Sequence, residues 1–332
     1  MKLQPVVTRI QVINAKPHKI LVSSAHADLP EDKDWSNARI ADTSDSENAI
    51  IWSFSFDCIT KGERAFAWSS TSQDRRWAFD IEIHGLGAEY DGKEVEIMLA
   101  EADTYPSRYK PAAIGFATSD RITINSDFAV FRVSGNGGSP IGFFGKYKIW
   151  IHVVNQPEDA TSPKTWVATH EMPVEAYYLS APELPDTFKD GIPLLLLRMF
   201  TLPHETRLHD DSTETWIRHV TEICFGSRKP FDGRPSQTED HWLIYNSMDG
   251  GSSSFSAKYG MSGLNISAWL DAYRNWKTHN VFTKINCYDQ AAIAEVALCL
   301  GISHKQIHWE YNQVYGFING GLVGWGHVNN PY

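Results

Sequence analysis

Cys287 stands where a short apolar segment meets a helical pattern, in the sequence KINCYDQAAIAEVALCLGIS of residues 284–303. Asn286, just before it, is a good helix N-cap, and Asp289 occupies the third helical position, as the acid of a capping box does. Gly301 is well placed to end the helix. The spacing therefore predicts a helix from Cys287 to about Leu300. Its core-facing positions are predicted to be Ala291, Ala294, Ala297, Leu298 and Leu300.

A cysteine in the first turn of a helix can serve as a nucleophile. Unpaired backbone N–H groups and the positive end of the helix dipole favour the thiolate form. The same N–H groups can stabilise an oxyanion on an acyl substrate. The competing interpretation is a packed residue, because free cysteine is among the most buried residue types. Cys299, among apolar neighbours near the end of the same helix, is interpreted as part of the core.

The surroundings of Cys287 favour the nucleophile. An amphipathic helix containing Trp269 and Trp276 precedes it, Ala291 follows it by four positions, and the helix ends in LCLGIS. In this order of elements, residues 264–332 resemble the transglutaminase-like superfamily, whose core is a variant of the papain-like cysteine peptidase arrangement. The resemblance implies acyl transfer on peptide or protein amides through a thioester on Cys287, with water or an amine as the acceptor. It implies neither a metal nor an organic cofactor.

The resemblance also implies a histidine base about forty residues after the cysteine, and an Asp or Asn on the next strand that orients its ring. His327, in VGWGHVNN, lies at that distance from Cys287. However, Pro331 cannot continue a central strand, and the sequence given ends at Tyr332, before the expected acid. Three interpretations stay open. In the first, His327 is the base and the third catalytic residue is an unusual one. In the second, the histidine and acid of the superfamily follow residue 332, and in the third, the domain is an inactive copy used for binding.

The first 185 residues predict a different architecture. Segments such as RRWAFDIEIHGL, KEVEIMLAEA and KYKIWIHVV alternate apolar and polar residues, with turn signals such as EYDGKE between them. Strands at this spacing predict an all-β antiparallel sandwich of immunoglobulin-like or related topology. The proline-rich segment SAPELPDTFKDGIP places a boundary near residue 185. We therefore predict two domains, a sandwich over residues 1–185 that binds a target or partner protein, and an α+β transglutaminase-like domain over residues 186–332.

The second region begins with helices and is predicted to end in strands. Ser212 is a plausible cap for the helical pattern STETWIRHVTEICFG, and NISAWLDAYRNWKTH is a second amphipathic helix. Between them, the Gly/Ser-rich segment 248–263 predicts a mobile loop. The segments HKQIHWEYNQVYGFI and GLVGWGHV are predicted as strands. On the first of them, His304 and His308 would lie about 13 Å apart, too far to share a metal ion.

Composition argues against several classes of function. The chain has 332 residues, a formal net charge of −10 and no basic run, which disfavours binding to nucleic acid. No apolar stretch is long enough for a membrane span, and the first residues lack the apolar segment of a classical signal peptide. The four cysteines form no CxxC pair, which argues against a zinc finger or disulfide scaffold. We therefore expect synthesis in a reducing cytoplasm, although non-classical export would leave no signal of this kind. The rival to catalysis is a binding protein that uses a degenerate or truncated domain of this superfamily.

Overall fold

The computed structural model describes most of the β-rich region and the helical region that follows it. The described residues are 5–13, 15–18, 20–21, 51–53, 65–70, 76–101, 117–136, 138–154, 166–169, 171–188, 191–203, 212–225, 243–245, 254–256 and 263–308. Their strands are β1 Val6–Val12, β2 Ala15–His18, β3 Ile20–Leu21, β4 Ile51–Ser53, β5 Ala65–Ser70, β6 Arg76–His84, β7 Glu94–Glu101, β8 Ala117–Thr118, β9 Ile122–Thr123, β10 Phe128–Asn136, β11 Ile141–Val153, β12 Trp166–Ala168, β13 Met172–Leu179, β14 Ile192–Pro193, β15 Leu202–Pro203, β16 Leu243–Tyr245 and β17 Thr283–Ile285. Their α-helices are α1 Leu194–Phe200, α2 Thr213–Phe225, α3 Ile266–His279 and α4 Cys287–Leu298. Short 3-10 helices cover Asp186–Phe188 and His304–Gln306.

Two largely antiparallel sheets make up most of the described β-rich region, as the sequence predicts, and β3 pairs separately and in parallel with β14. One has the order β10-β6-β1-β4. The other runs β2-β5-β13-β11-β7-β8, with β12 and β15 paired to β11 and β9 paired to β7. The predicted strand segments RRWAFDIEIHGL, KEVEIMLAEA and KYKIWIHVV contain β6, β7 and the second half of β11, which confirms those strands.

Alternation along β6 explains how the two sheets meet. Trp77, Phe79, Ile81 and Ile83 are buried, whereas the residues between them lie on the partly exposed face. The buried face packs on the second sheet through aromatic rings: the ring centroids of Trp77 and Phe143 are 5.1 Å apart. Large aromatic side chains bury much apolar area and pack well edge to face. The core therefore lies between the sheets.

Strand β11 changes partners along its length. Residues 141–147 pair with β13 and residues 147–153 pair with β7, both antiparallel. Ile141 and Gly142 also pair in parallel with β15, which follows the predicted boundary at residue 185. Helix α1, formed by the apolar run LLLLRMF, brings the chain to β15 and is itself largely buried. Residues on both sides of 185 thus contact one another, and the boundary at 185 stays a prediction.

The helices of the second region share the same core. Trp216, Val220 and Cys224 line the buried face of α2, and Ser212 caps this helix by accepting a hydrogen bond of 3.1 Å from the Thr215 N–H, as predicted. Within α3, Trp269 and Leu270 are fully buried. None of the helices in the described ranges is long and apolar enough to cross a membrane.

The predicted core-facing residues of α4 are confirmed in part. The residues of α4 that are buried are Asp289, Gln290, Ala292, Ile293 and Ala297. Ala291, Ala294 and Leu298, which the spacing assigned to the core, are half-buried, and of these Ala294 and Leu298 pack against the core. Helix α4 is apolar on most of its circumference, so periodicity alone does not fix the face that packs. Leu300, just after the helix, is buried as predicted.

The end of α4 also differs from the prediction. The helix ends at Leu298 with Cys299 as its C-cap, and Gly301 does not adopt the left-handed conformation of a glycine stop. Gly301 is required for a different reason, since an added Cβ would lie 2.4 Å from Cζ3 of Trp216. The next segment, predicted as a strand, begins instead as the 3-10 helix His304–Gln306, so the strand spacing assumed for His304 and His308 does not apply. Residues 309–332, with the remaining predicted strands, lie outside the described ranges.

Candidate functional site

Cys287 opens α4 directly after a strand. Strand β17 pairs in parallel with β16, with Thr283 opposite Leu243 and Ile285 opposite Tyr245. Asn286 then turns the chain in an extended conformation, and the helix begins at Cys287. Asn286 is buried, whereas Cys287 is exposed and its thiol is free. The cysteine therefore lies at a helix N-terminus that solvent reaches.

A capping box fixes this N-terminus, as the sequence predicts. The side-chain oxygen of Asn286 accepts hydrogen bonds from the N–H groups of Tyr288, at 3.1 Å, and Asp289, at 3.2 Å. The Asp289 carboxylate accepts in return from the Asn286 N–H, at 3.3 Å. Reciprocal capping of this kind satisfies helix N–H groups that have no partner within the helix. It holds Cys287 at the first helical position.

The same cap decides which N–H group stays available. The Tyr288 and Asp289 N–H groups are occupied by Asn286, and the Gln290 N–H donates to the Asn286 carbonyl at 3.1 Å. Within the described part of the chain, no group accepts a hydrogen bond from the Cys287 N–H. That N–H is attached to the residue that carries the thiol. It is therefore the first-turn donor that could contact an oxyanion formed next to the sulfur.

A feature that sequence reasoning missed lies beside this N-terminus. The Asp289 carboxylate accepts hydrogen bonds from three consecutive N–H groups, those of Ser254, Phe255 and Ser256, at 2.8, 2.9 and 2.7 Å. It also accepts from the Ser256 hydroxyl, at 3.0 Å. Residues 254–256 belong to the Gly/Ser-rich segment predicted to be mobile, and these bonds fix them in place. The available signal was the acid at Asp289, but a sequence does not reveal which distant N–H groups an acid binds.

The other described cysteines have a different environment. Cys224 and Cys299 are both buried, which confirms the interpretation of Cys299 as a core residue. Burial raises the pKa of the Cys299 thiol to about 11, with a further contribution from the charge of Glu295. Burial also raises the pKa of Cys224 far above its ordinary value. Neither is suited to act as a thiolate at neutral pH.

The predicted base is not among the described residues. His327 lies in 309–332, so its distance from Cys287 is not defined. No side chain within the described ranges is hydrogen-bonded to the Cys287 thiol. In those ranges, no cluster of three or more His, Cys, Asp or Glu residues could hold a metal ion.

Comparison with known proteins adds no assignment to this geometry. No protein-family model matches the chain, and no curated protein matches it with significant similarity.

Proposed function

We propose that the chain catalyses cysteine-dependent acyl transfer on peptide or protein amides, in the manner of the transglutaminase-like superfamily. The observation that carries the proposal is the exposed, free thiol of Cys287 at the first position of a capped helix, next to a backbone N–H that donates to no group in the described part of the chain. Helix N-termini favour anions, so an oxyanion that develops on a bound substrate would be stabilised at this position. The resemblance of residues 264–332 to the superfamily supplies the reaction class.

In the proposed reaction, the Cys287 thiolate attacks the carbonyl carbon of an amide and forms a carbon–sulfur bond. The carbonyl oxygen becomes an oxyanion, and the Cys287 N–H donates a hydrogen bond to it. The carbon–nitrogen bond then breaks, and the amine leaves with the proton that the thiol gave up. Water or a second amine attacks the resulting thioester and releases the thiolate.

A base must carry that proton from the thiol to the leaving amine. We propose His327 for this role, on its distance from Cys287 along the sequence. A positioned general base typically contributes about a hundredfold to ten-thousandfold in rate. If His327 is the base, His327→Ala should slow reactions of Cys287 with acyl substrates by about that factor.

The β-rich region would present the partner or substrate protein to this site. In the proposed arrangement it forms a sandwich domain over residues 1–185, joined to the catalytic domain over residues 186–332. This assignment rests on the general use of sandwich domains for recognition.

One observation favours the alternative of a binding protein without chemistry. Phe128 and Val130 are exposed to 49% and 40% on β10, a strand at the end of the four-stranded sheet. Phe128 stacks on His84, with ring centroids 5.2 Å apart. Exposed apolar residues on an outer strand are typical of surfaces that contact other proteins. In this alternative, Cys287 would be an ordinary surface thiol.

Acylation of the thiol distinguishes the two functions. The chain is incubated with p-nitrophenyl acetate at pH 7, and mass spectrometry of its peptides locates the transferred acetyl group. We expect acetylation of Cys287, a burst of p-nitrophenol, and loss of both in Cys287→Ala. The matched control is Cys299→Ala, which removes a buried thiol with a raised pKa and should leave the burst unchanged. A Cys287 that reacts no faster than the thiol of an unstructured peptide would contradict catalysis.

A further inference from the structure

Asp289 is a buried carboxylate with an unusually complete set of donors. It is 1% exposed and accepts from four N–H groups and one hydroxyl. A buried charge persists only where hydrogen bonds replace its hydration. A carboxylate can accept about four such bonds, so the capacity of Asp289 is filled by the protein itself. A capping box requires just one of these five bonds, the one to Asn286.

The remaining four bonds join the start of α4 to residues 254–256. That segment is also held on its other side, because the Phe255 carbonyl accepts from the Asn265 N–H at 2.8 Å and Ser256 forms a bridge with Leu264. In addition, the Ser254 hydroxyl donates to the Lys284 carbonyl in β17, at 2.6 Å. Residues 254–256 therefore link the strand before Cys287, the entry to α3 and the first turn of α4.

We propose that Asp289 is a positioning residue for Cys287. Its carboxylate fixes the first turn of α4 and residues 254–256 as one unit. It thereby holds the direction of the Cys287 thiol and N–H relative to residues 254–256. This inference rests on the proposed function, because positioning matters only if the thiol reacts. Asp289 contacts no reacting atom in this mechanism, and it acts through Asn286 and residues 254–256.

Replacing Asp289 changes the thiolate fraction of Cys287 in opposite directions under the two explanations, positioning and simple electrostatics. If Asp289 acted only through its negative charge, removing that charge would favour the thiolate. If it acts by holding the turn, its removal would loosen the helix N-terminus and disfavour the thiolate. Five donors point at the carboxylate and reduce its field at Cys287, so we expect loss of positioning to dominate.

Asp289→Asn tests this directly. Asparagine has the same shape, but its NH2 group would face N–H donors and could not accept from them. The measurement is the rate of iodoacetamide alkylation of Cys287 as a function of pH, read by mass spectrometry. We expect the pH of half-maximal rate to rise by about half a unit, and the rate at pH 7 to fall about threefold, as expected for loss of a helix-terminus interaction.

Two further variants keep the result interpretable. Ser256→Ala removes only the hydroxyl bond to Asp289 and should shift the profile in the same direction by less. It serves as the decisive variant if Asp289→Asn does not fold. Ser212→Ala is the matched control, since it removes an N-cap hydrogen bond from a different helix, α2, and should leave the profile of Cys287 unchanged.

The outcomes separate this inference from the proposed function. A reactive Cys287 whose profile is unchanged, or shifted to lower pH, in Asp289→Asn and Ser256→Ala would overturn the positioning role and leave catalysis standing. An equal shift in Ser212→Ala would also overturn it, because general loss of stability would then explain the effect. A Cys287 that is unreactive in the unmodified chain would overturn the proposed function and, with it, this inference.

Discussion

Gly301→Ala should destabilise the protein, although it adds only one methyl group. A Cβ at this position would lie 2.4 Å from Cζ3 and 2.6 Å from Cη2 of Trp216, and 2.9 Å from Cδ of Pro140. Carbon atoms in contact normally lie about 3.5–4.0 Å apart. Either Trp216 or the backbone at residue 301 must therefore move by about 1 Å.

Neither group can move easily. Trp216 is fully buried, and its Nε1–H donates to the Phe200 carbonyl at 2.9 Å. The Gly301 carbonyl accepts from the Ser180 hydroxyl at 3.1 Å, and the neighbouring Leu300 carbonyl accepts from the Ala181 N–H. Overpacking a core typically costs about 1–3 kcal/mol, and a weakened hydrogen bond adds about 1 kcal/mol. We therefore expect the free energy of unfolding to fall by about 3 kcal/mol.

Urea unfolding followed by tryptophan fluorescence measures this change. If the free energy of unfolding falls by about 3 kcal/mol per molar urea, the urea concentration at the midpoint should fall by about 1 M. Gly87→Ala is the matched control, because no atom lies within 4 Å of its added Cβ, and we expect its midpoint to change little. Replacing Trp216 with Phe removes the clashing ring atoms, so Gly301→Ala should be less costly in that background. Equal midpoints for Gly301→Ala and Gly87→Ala would refute the reasoning.

Two further predictions concern the boundary and the surface. A fragment of residues 1–185 should unfold cooperatively on heating if the predicted boundary is correct. A fragment of residues 1–203 should have a melting temperature several degrees higher, because it keeps α1 and β15. A 1–185 fragment that is insoluble or unfolds without cooperativity would show that both regions share one core. The pKa of Glu82 is held below its usual value, first by the hydrogen bond with His84 and then by Thr8 and the charge of Arg9. A carboxyl group whose pKa is lowered by folding stabilises the fold at pH values above its pKa in the unfolded chain, and this stabilisation is lost as the pH falls. Between about pH 6 and 3, the urea midpoint should therefore fall less steeply for His84→Ala than for the unmodified chain. Parallel curves would contradict this.

The start of α4 could be predicted from the sequence because its determinants are local. Asn286 and Asp289 contact N–H groups within three residues of themselves, so the cap is readable from spacing alone. The cap of α2 by Ser212 and the alternation of β6 are readable for the same reason. For the two helix caps the interaction that fixes the element is local, and for β6 the alternation alone marks which side chains are buried.

Long-range contacts explain where the structure differs from the sequence-based predictions. Gly301 has a sequence position typical of a helix stop, but its function is to let Trp216 approach, and Trp216 belongs to another helix. The four bonds from residues 254–256 to Asp289 connect segments more than thirty positions apart in sequence. The sequence of helix α1, LLLLRMF, is a short apolar run, and such a run has no periodicity that distinguishes a buried helix from a buried strand.

The parallel pairing of β3 with β14 has a consequence for biosynthesis. Ile20 lies opposite Ile192, so the two strands that pair are separated by most of the β-rich region. During translation at about 5–20 residues per second, β3 must wait roughly ten to thirty seconds before β14 leaves the ribosome. Parallel pairs of this separation also form slowly, because a long loop must close first. The newly made N-terminal segment therefore emerges with an unpaired edge, and chaperone binding to the nascent chain would protect it from aggregation during that interval.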